Sequence, residues 1–178
     1  MGCQKNIAKE IIEADADYVL ALKGNQETVH AEVKSLLDAA VRERSAPRPV
    51  GAKLSNVAAN LAVWETVEKD HGRIETRRYY QSTELDWFAD WGKWTGLRSV
   101  GMVEATREVG GKQTVEQRYY LSSLALDVAT FARAVRGHWG VENKLHWVLD
   151  VQMNEDQSRA RAGYAAENLA TLRRLALN

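Results

Sequence analysis

This sequence predicts a mixed α/β (α+β) fold in which a β-rich block is set into a smaller α/β core. Three observations point there. Apolar residues recur at helical spacing at both ends of the chain. A short apolar run of strand length follows the first helical stretch. The middle alternates apolar and polar residues in two hairpin-like pairs.

Taken in order, Ile7, Ile11 and Ile12 with Lys and Glu between them predict an amphipathic helix over residues 4–13. Residues 17–22, Asp-Tyr-Val-Leu-Ala-Leu, read as a buried strand. Lys23-Gly24-Asn25-Gln26 is a turn, with Asn25 expected to cap the next helix. Val29, Val33, Leu36, Leu37 and Val41 carry that helix to about residue 44. Residues 45–51 hold both prolines and predict a loop. Residues 62–80, rich in Val, Trp, Thr, Ile and Tyr and broken by His71-Gly72, predict a hairpin. Residues 97–109 and 114–124, separated by a Gly110-Gly111 turn, predict a second one. Between them Trp87, Trp91 and Trp94, three of the six tryptophans, suggest a short helix plus loop and read as core more readily than as base-stacking surfaces. Val128, Phe131, Val135, Trp139 and Leu145 then line one face of a long helix with Asp127 as N-cap, and residues 158–177 form a last helix. The expected division is 1–44, the amino-terminal part of a core; 45–124, a β-rich insertion; and 125–178, the carboxy-terminal helices. One buried strand does not make a sheet, so the β-rich block supplies its partners or they lie outside the chain.

The 178 residues suffice for one hydrophobic core. Lys plus Arg equals Asp plus Glu at 24 each, which argues against a wholly basic, histone-like DNA binder but leaves room for a local basic surface. The one cysteine, Cys3, cannot form an internal disulfide and is expected to be structural. No apolar leader and no 18-residue apolar run are found, so a cytoplasmic chain without a membrane span is expected.

His138, Glu142, His146 and Asp150 follow at intervals of four. On an α-helix each such step drifts about 40°, so adjacent members share a face. The spacing alone fits a solvated polar edge with Glu–His pairs, a metal site with an acidic ligand, or a zinc site of His138, Glu142 and His146.

The surrounding residues carry a resemblance. His138-Trp139-Gly140-Val141-Glu142-Asn143, then Leu145-His146-Trp147-Val148-Leu149-Asp150-Val151 and Glu155-Asp156, is similar to the carboxy-terminal signature of the H-repeat-associated (ISAs-type) insertion-sequence transposases of the DDE superfamily. Further matches occur in order: Met1-Gly2-Cys3-Gln4 with Ile7-Ala8, the stretch from Asp17 to Gln26, His71-Gly72-Arg73-Ile74-Glu75-Thr76-Arg77, Arg118-Tyr119-Tyr120 with Ser122-Ser123-Leu124, and the terminal helix.

That resemblance implies a partial RNase H-like core with a β-rich insertion before the last catalytic helix. It implies three carboxylates holding Mg²⁺ or Mn²⁺ for phosphoryl transfer on DNA ends in a bacterial element. Glu142 matches the last acidic ligand, which makes it both the catalytic and the metal-binding candidate. His138, Asn143, His146 and Asp150 become candidates to flank the metal or touch DNA. Lys23, Asn25 and Gln26, and His71, Arg73 and Arg77 at a hairpin tip, become DNA-contact candidates. Arg159, Arg161, Arg173 and Arg174 could add a basic face. The two aspartates of the family's triad map upstream of Met1. The expected reading is therefore a truncated transposase that holds metal weakly and is inactive alone. The expected partners are transposon-end and target DNA, a second copy, or an intact transposase. A Tyr–Arg–Glu–Lys signature of wider transposase groups is not met, since its other positions fall on Val135, His138 and Leu149. Two other functions stay open: a non-catalytic DNA-binding or dimerising remnant, and a zinc hydrolase.

Overall fold

A computed structural model describes residues 3–70, 73–141, 148–155 and 157–176. Helix α1 spans Lys5–Glu13, strand β1 Val19–Ala21 and helix α2 Glu27–Ser45. A short helix α3, Asn56–Ala59, leads into β2 (Ala62–Asp70) and β3 (Arg73–Ser82). Strands β4 (Ser99–Val109) and β5 (Lys112–Ser122) are followed by α4 (Val128–Val141) and α5 (Ala165–Ala176). The fold is mixed α+β. Residues 1–132 and 133–178 are two compact units, with α4 beginning in the first and continuing into the second.

The strands form one antiparallel sheet in the order β1-β5-β4-β3-β2. Strand β1 is therefore not alone: Val19, Leu20 and Ala21 pair with Ser122, Leu121 and Tyr120. The β-rich block supplies its partner, which answers the question left by a single apolar run in the sequence. The β4–β5 turn needs both of its glycines, because Gly110 and Gly111 have φ of 55° and 76°, a region that side chains disfavour.

The sheet is covered on two faces in the first unit. On one face Tyr80, Met102, Tyr119 and Leu121 join Val29, Val33, Leu37 and Ala40 of α2 in the main core, together with Ala8, Phe88 and Trp94. On the other face Phe131 stands at 80° to Tyr120 with ring centroids 5.6 Å apart. A Cβ at Gly101 would lie 2.5 Å from the Phe131 ring, so only glycine lets the helix start seat there. Asp127 caps α4 as expected, accepting from the Thr130 backbone N–H at 3.0 Å. Gln81 fixes this junction from inside the sheet. Its amide donates to Ser99 Oγ and the Ala125 carbonyl, each at 2.9 Å, and accepts from the Asp127 N–H at 3.0 Å.

The short helix expected in the tryptophan-rich segment is a 3₁₀ turn, Trp91–Lys93. Three expectations are corrected. Helix α2 is entered through a 3₁₀ turn, Gly24–Gln26, and its N-cap is Gln26 without a side-chain bond, not Asn25. The last helix starts at Ala165, because the chain turns at Gly163 with φ +49°. The long helix is α-helical to Val141, whereas Val148–Gln152 is a π-helical turn in which Met153 N–H donates to the Val148 carbonyl five residues back at 3.1 Å. Among the described residues, no helix is long and apolar enough to cross a membrane.

Candidate functional site

Glu142, Asn143 and His146, the centre of the expected site, lie outside the described residues, as does His71. His138 sits exposed in the last turn of α4. Asp150, half-buried, belongs to the π turn beyond the undescribed stretch. With i to i+5 spacing there, regular α-helical rotation no longer sets the direction of Asp150. Among the described residues, no three His, Cys, Asp or Glu side chains stand together so as to hold a metal ion. The described donors therefore do not by themselves fit a two-metal site, and no catalytic step is derived through one. What fits is donor chemistry alone: hard carboxylate oxygens suit Mg²⁺ and Mn²⁺.

The strand-to-helix turn is better defined. Strand β1 delivers Lys23 to the sheet's end with an extended backbone (φ −126°, ψ 178°) and an exposed side chain. Gln26 turns inward instead, its Nε2 donating to the Cys3 carbonyl at 3.0 Å, which ties the segment before α1 to the turn. Asn25 lies within the turn, its side chain outside the description. Cys3 is buried, and burial pushes its thiol up to about 12, so it is inert at neutral pH.

The β2–β3 arginines, a basic cluster in the sequence, are charge-balanced. Arg77 is largely buried, with Nη2 2.5 Å from Glu75 Oε1 and Nη1 3.1 Å from Glu68 Oε2. The Glu68 contact is an ion pair whose alignment falls short of a hydrogen bond. Arg73 reaches the other Glu75 oxygen at 3.8 Å and is more exposed. Arg78 donates to Glu65 at 2.6 Å. The Arg78–Glu65 and Arg77–Glu68 pairs were hidden in the sequence because they form only through cross-strand register, which places Glu65 opposite Arg78 and Thr66 opposite Arg77.

Of the tryptophans, Trp94 is buried in the core and Trp87 packs against it. Trp91 is half exposed and lines an open concavity with Thr83, Asp86, Arg98 and Leu126. In the second unit Arg173 donates to the Met153 carbonyl at 3.2 Å. Arg174 is exposed on α5, and Arg159 and Arg161 lie in the irregular segment before it.

One cluster escaped the sequence reading. Tyr119 donates to Asp38 Oδ1 at 2.7 Å, and Lys34 donates to Asp38 Oδ2 at 2.8 Å and to the Tyr119 hydroxyl at 3.0 Å. Burial, then the Asp38 bond, pushes the phenol up to about 12, so it acts as a donor that locks α2 onto β5. The spacing of Lys34 and Asp38 was visible, but their sheet partner was not.

The chain matches the model of the transposase DDE domain over residues 1–178. It is 40% identical over its whole length to "Putative transposase YncI" of Escherichia coli O157:H7, covering 43% of that protein. It is 37% identical to "Putative protein YbfL" and 36% to "H repeat-associated putative transposase YhhI", both of Escherichia coli strain K12, again over its whole length and covering 45% of each. The chain thus spans less than half the length of these relatives. No solved structure matches it. A family match across every residue, with H-repeat-associated relatives at this identity, makes the chain a member of the DDE transposase family.

Proposed function

We propose that this chain supplies part of a DNA strand-transfer enzyme, with Glu142 as one carboxylate ligand of Mg²⁺ or Mn²⁺. The observation that carries the reading is the transposase DDE match over all 178 residues, within which Glu142 stands in the His138–Asp150 signature. When bound, such a metal polarises the scissile phosphate and activates the attacking oxygen.

The protein's own contribution is positioning. Lys23, exposed at the end of β1, offers a cation to the DNA backbone, while Gln26 holds the turn by its bond to the Cys3 carbonyl. Phosphate contact at the β2–β3 hairpin falls to Arg73 and His71, since Arg77 is held between Glu68 and Glu75. His138, Asn143, His146 and Asp150 flank Glu142 in sequence and orient water, DNA or the carboxylate. On this reading one carboxylate is too few to hold the ion tightly, so the chain alone nicks DNA poorly, and the other acidic ligands come from outside it. Its working partners are then DNA and a polypeptide bearing those ligands.

The test joins this chain to the part of YhhI that it does not cover and measures nicking of an insertion-sequence end with Mg²⁺. The reading expects nicking that falls at least about a hundredfold in Glu142→Ala, the usual scale for an essential catalytic group. Nicking indifferent to Glu142 contradicts it. DNA binding without nicking in the unmutated fusion favours a non-catalytic DNA-binding or dimerising role. Stoichiometric, tightly held zinc favours the hydrolase reading.

A further inference from the structure

Strand β2 ends the sheet, and Val63, Trp64, Glu65, Val67, Glu68 and Lys69 along it are exposed. Which backbone groups it leaves unpaired follows from the sheet. The two-residue turn at Gly110-Gly111 makes Val109–Lys112 a hydrogen-bonded closing pair. Alternation then assigns the odd-numbered residues of β4 to β5 and the even ones to β3. Carried through the β3–β4 and β2–β3 registers, it turns the groups of Trp64, Thr66 and Glu68 toward β3. Those of Val63, Glu65, Val67 and Lys69 point outward. The same alternation turns Tyr119 of β5 toward β1, where the Leu22 N–H donates to its carbonyl at 2.8 Å.

We infer that β2 is a self-association edge, pairing antiparallel with β2 of a second copy about a two-fold axis at Val67. In that register Glu65 lies opposite Lys69 of the copy and Lys69 opposite its Glu65. One symmetric pairing thus makes two ion pairs and opposes no like charges. Shifting the axis to Thr66 sets Lys69 against Val63 and matches no charges, and shifting it to Glu68 sets Glu68 against itself. The register at Val67 also joins two apolar rows. Val67, Thr76, Thr106 and Val115 run across one face, with Val67 54% and Val115 59% exposed, and would continue into the same row of the copy. Charges on an edge strand ordinarily discourage pairing, but here the two-fold converts them into a match. Glu65 keeps its bond to Arg78 on the inner side.

Sedimentation equilibrium of the purified chain without DNA tests this. The expected result is a monomer–dimer equilibrium. Val67→Pro removes an outward N–H while sparing the bonds to β3, so it should fold and stay monomeric. Glu65→Lys and Lys69→Glu should each weaken the dimer about tenfold or more, and the double charge swap should restore it. The swap keeps the test decisive even if Val67→Pro fails to fold. A wild-type chain that is monomeric throughout, a dimer that survives in folded Val67→Pro, or charge swaps without effect would overturn the inference.

Discussion

Cys3 and Tyr119 show how burial sets chemistry one residue at a time. Burial raises the Cys3 thiol from 9.0 to about 12, and burial with the Asp38 bond raises the Tyr119 phenol from 10.0 to about 12. Both are neutral when protonated, and the folded state disfavours their anions. Their contribution is complete below pH 9 and is lost as pH climbs toward 12. Denaturant titrations should show the unfolding free energy falling across that window, with Cys3→Ala flattening its lower part. At pH 8 a thiol reagent should label Cys3 only as fast as the protein opens, and rapid labelling of the folded chain would show the thiol is not enclosed. Gly101 tests packing. Gly101→Ala drives a methyl into the Phe131 ring, and overpacking of this kind costs about 1–3 kcal/mol, read as a lower melting temperature.

Helices and strands carry most of what the sequence made legible. Ile7, Ile11 and Ile12 marked α1, the alternating stretches marked both hairpins, and Asp127 marked the start of α4. Asp127→Ala should remove the cap on the Thr130 N–H and cost about 1 kcal/mol, measurable by chemical denaturation. What the sequence concealed depends on partners distant along the chain. Strand β1 is three residues long and gains its place only by pairing with β5, about a hundred residues away. The expected last helix began too early because residues 158–164 contain no proline to mark a break, while Gly163 takes a backbone turn of positive φ. The arginines near the β2–β3 tip were legible as phosphate-contact candidates, but not the two carboxylate neighbours of Arg77, Glu75 on its own strand and Glu68 on β2. The signature around Glu142 was legible as a pattern of residue types, but its geometry falls outside the described residues.

At the scale of the whole molecule, the chain is a DDE-family polypeptide covering less than half the length of its relatives, with one five-stranded sheet in its first unit. The proposed activity requires Glu142 to be an acidic ligand in a site completed by carboxylates from elsewhere. Iron(II) in place of magnesium, with hydrogen peroxide and ascorbate added, reports this directly: the bound ion reduces peroxide to hydroxyl radical that cuts nearby backbone, and ascorbate returns the iron(III) formed to iron(II). In the YhhI fusion bound to DNA, peptide cleavage should cluster around residue 142, fade with excess Mg²⁺, and disappear in Glu142→Ala. Cleavage centred elsewhere, or cuts near residue 142 that persist in Glu142→Ala, would contradict it.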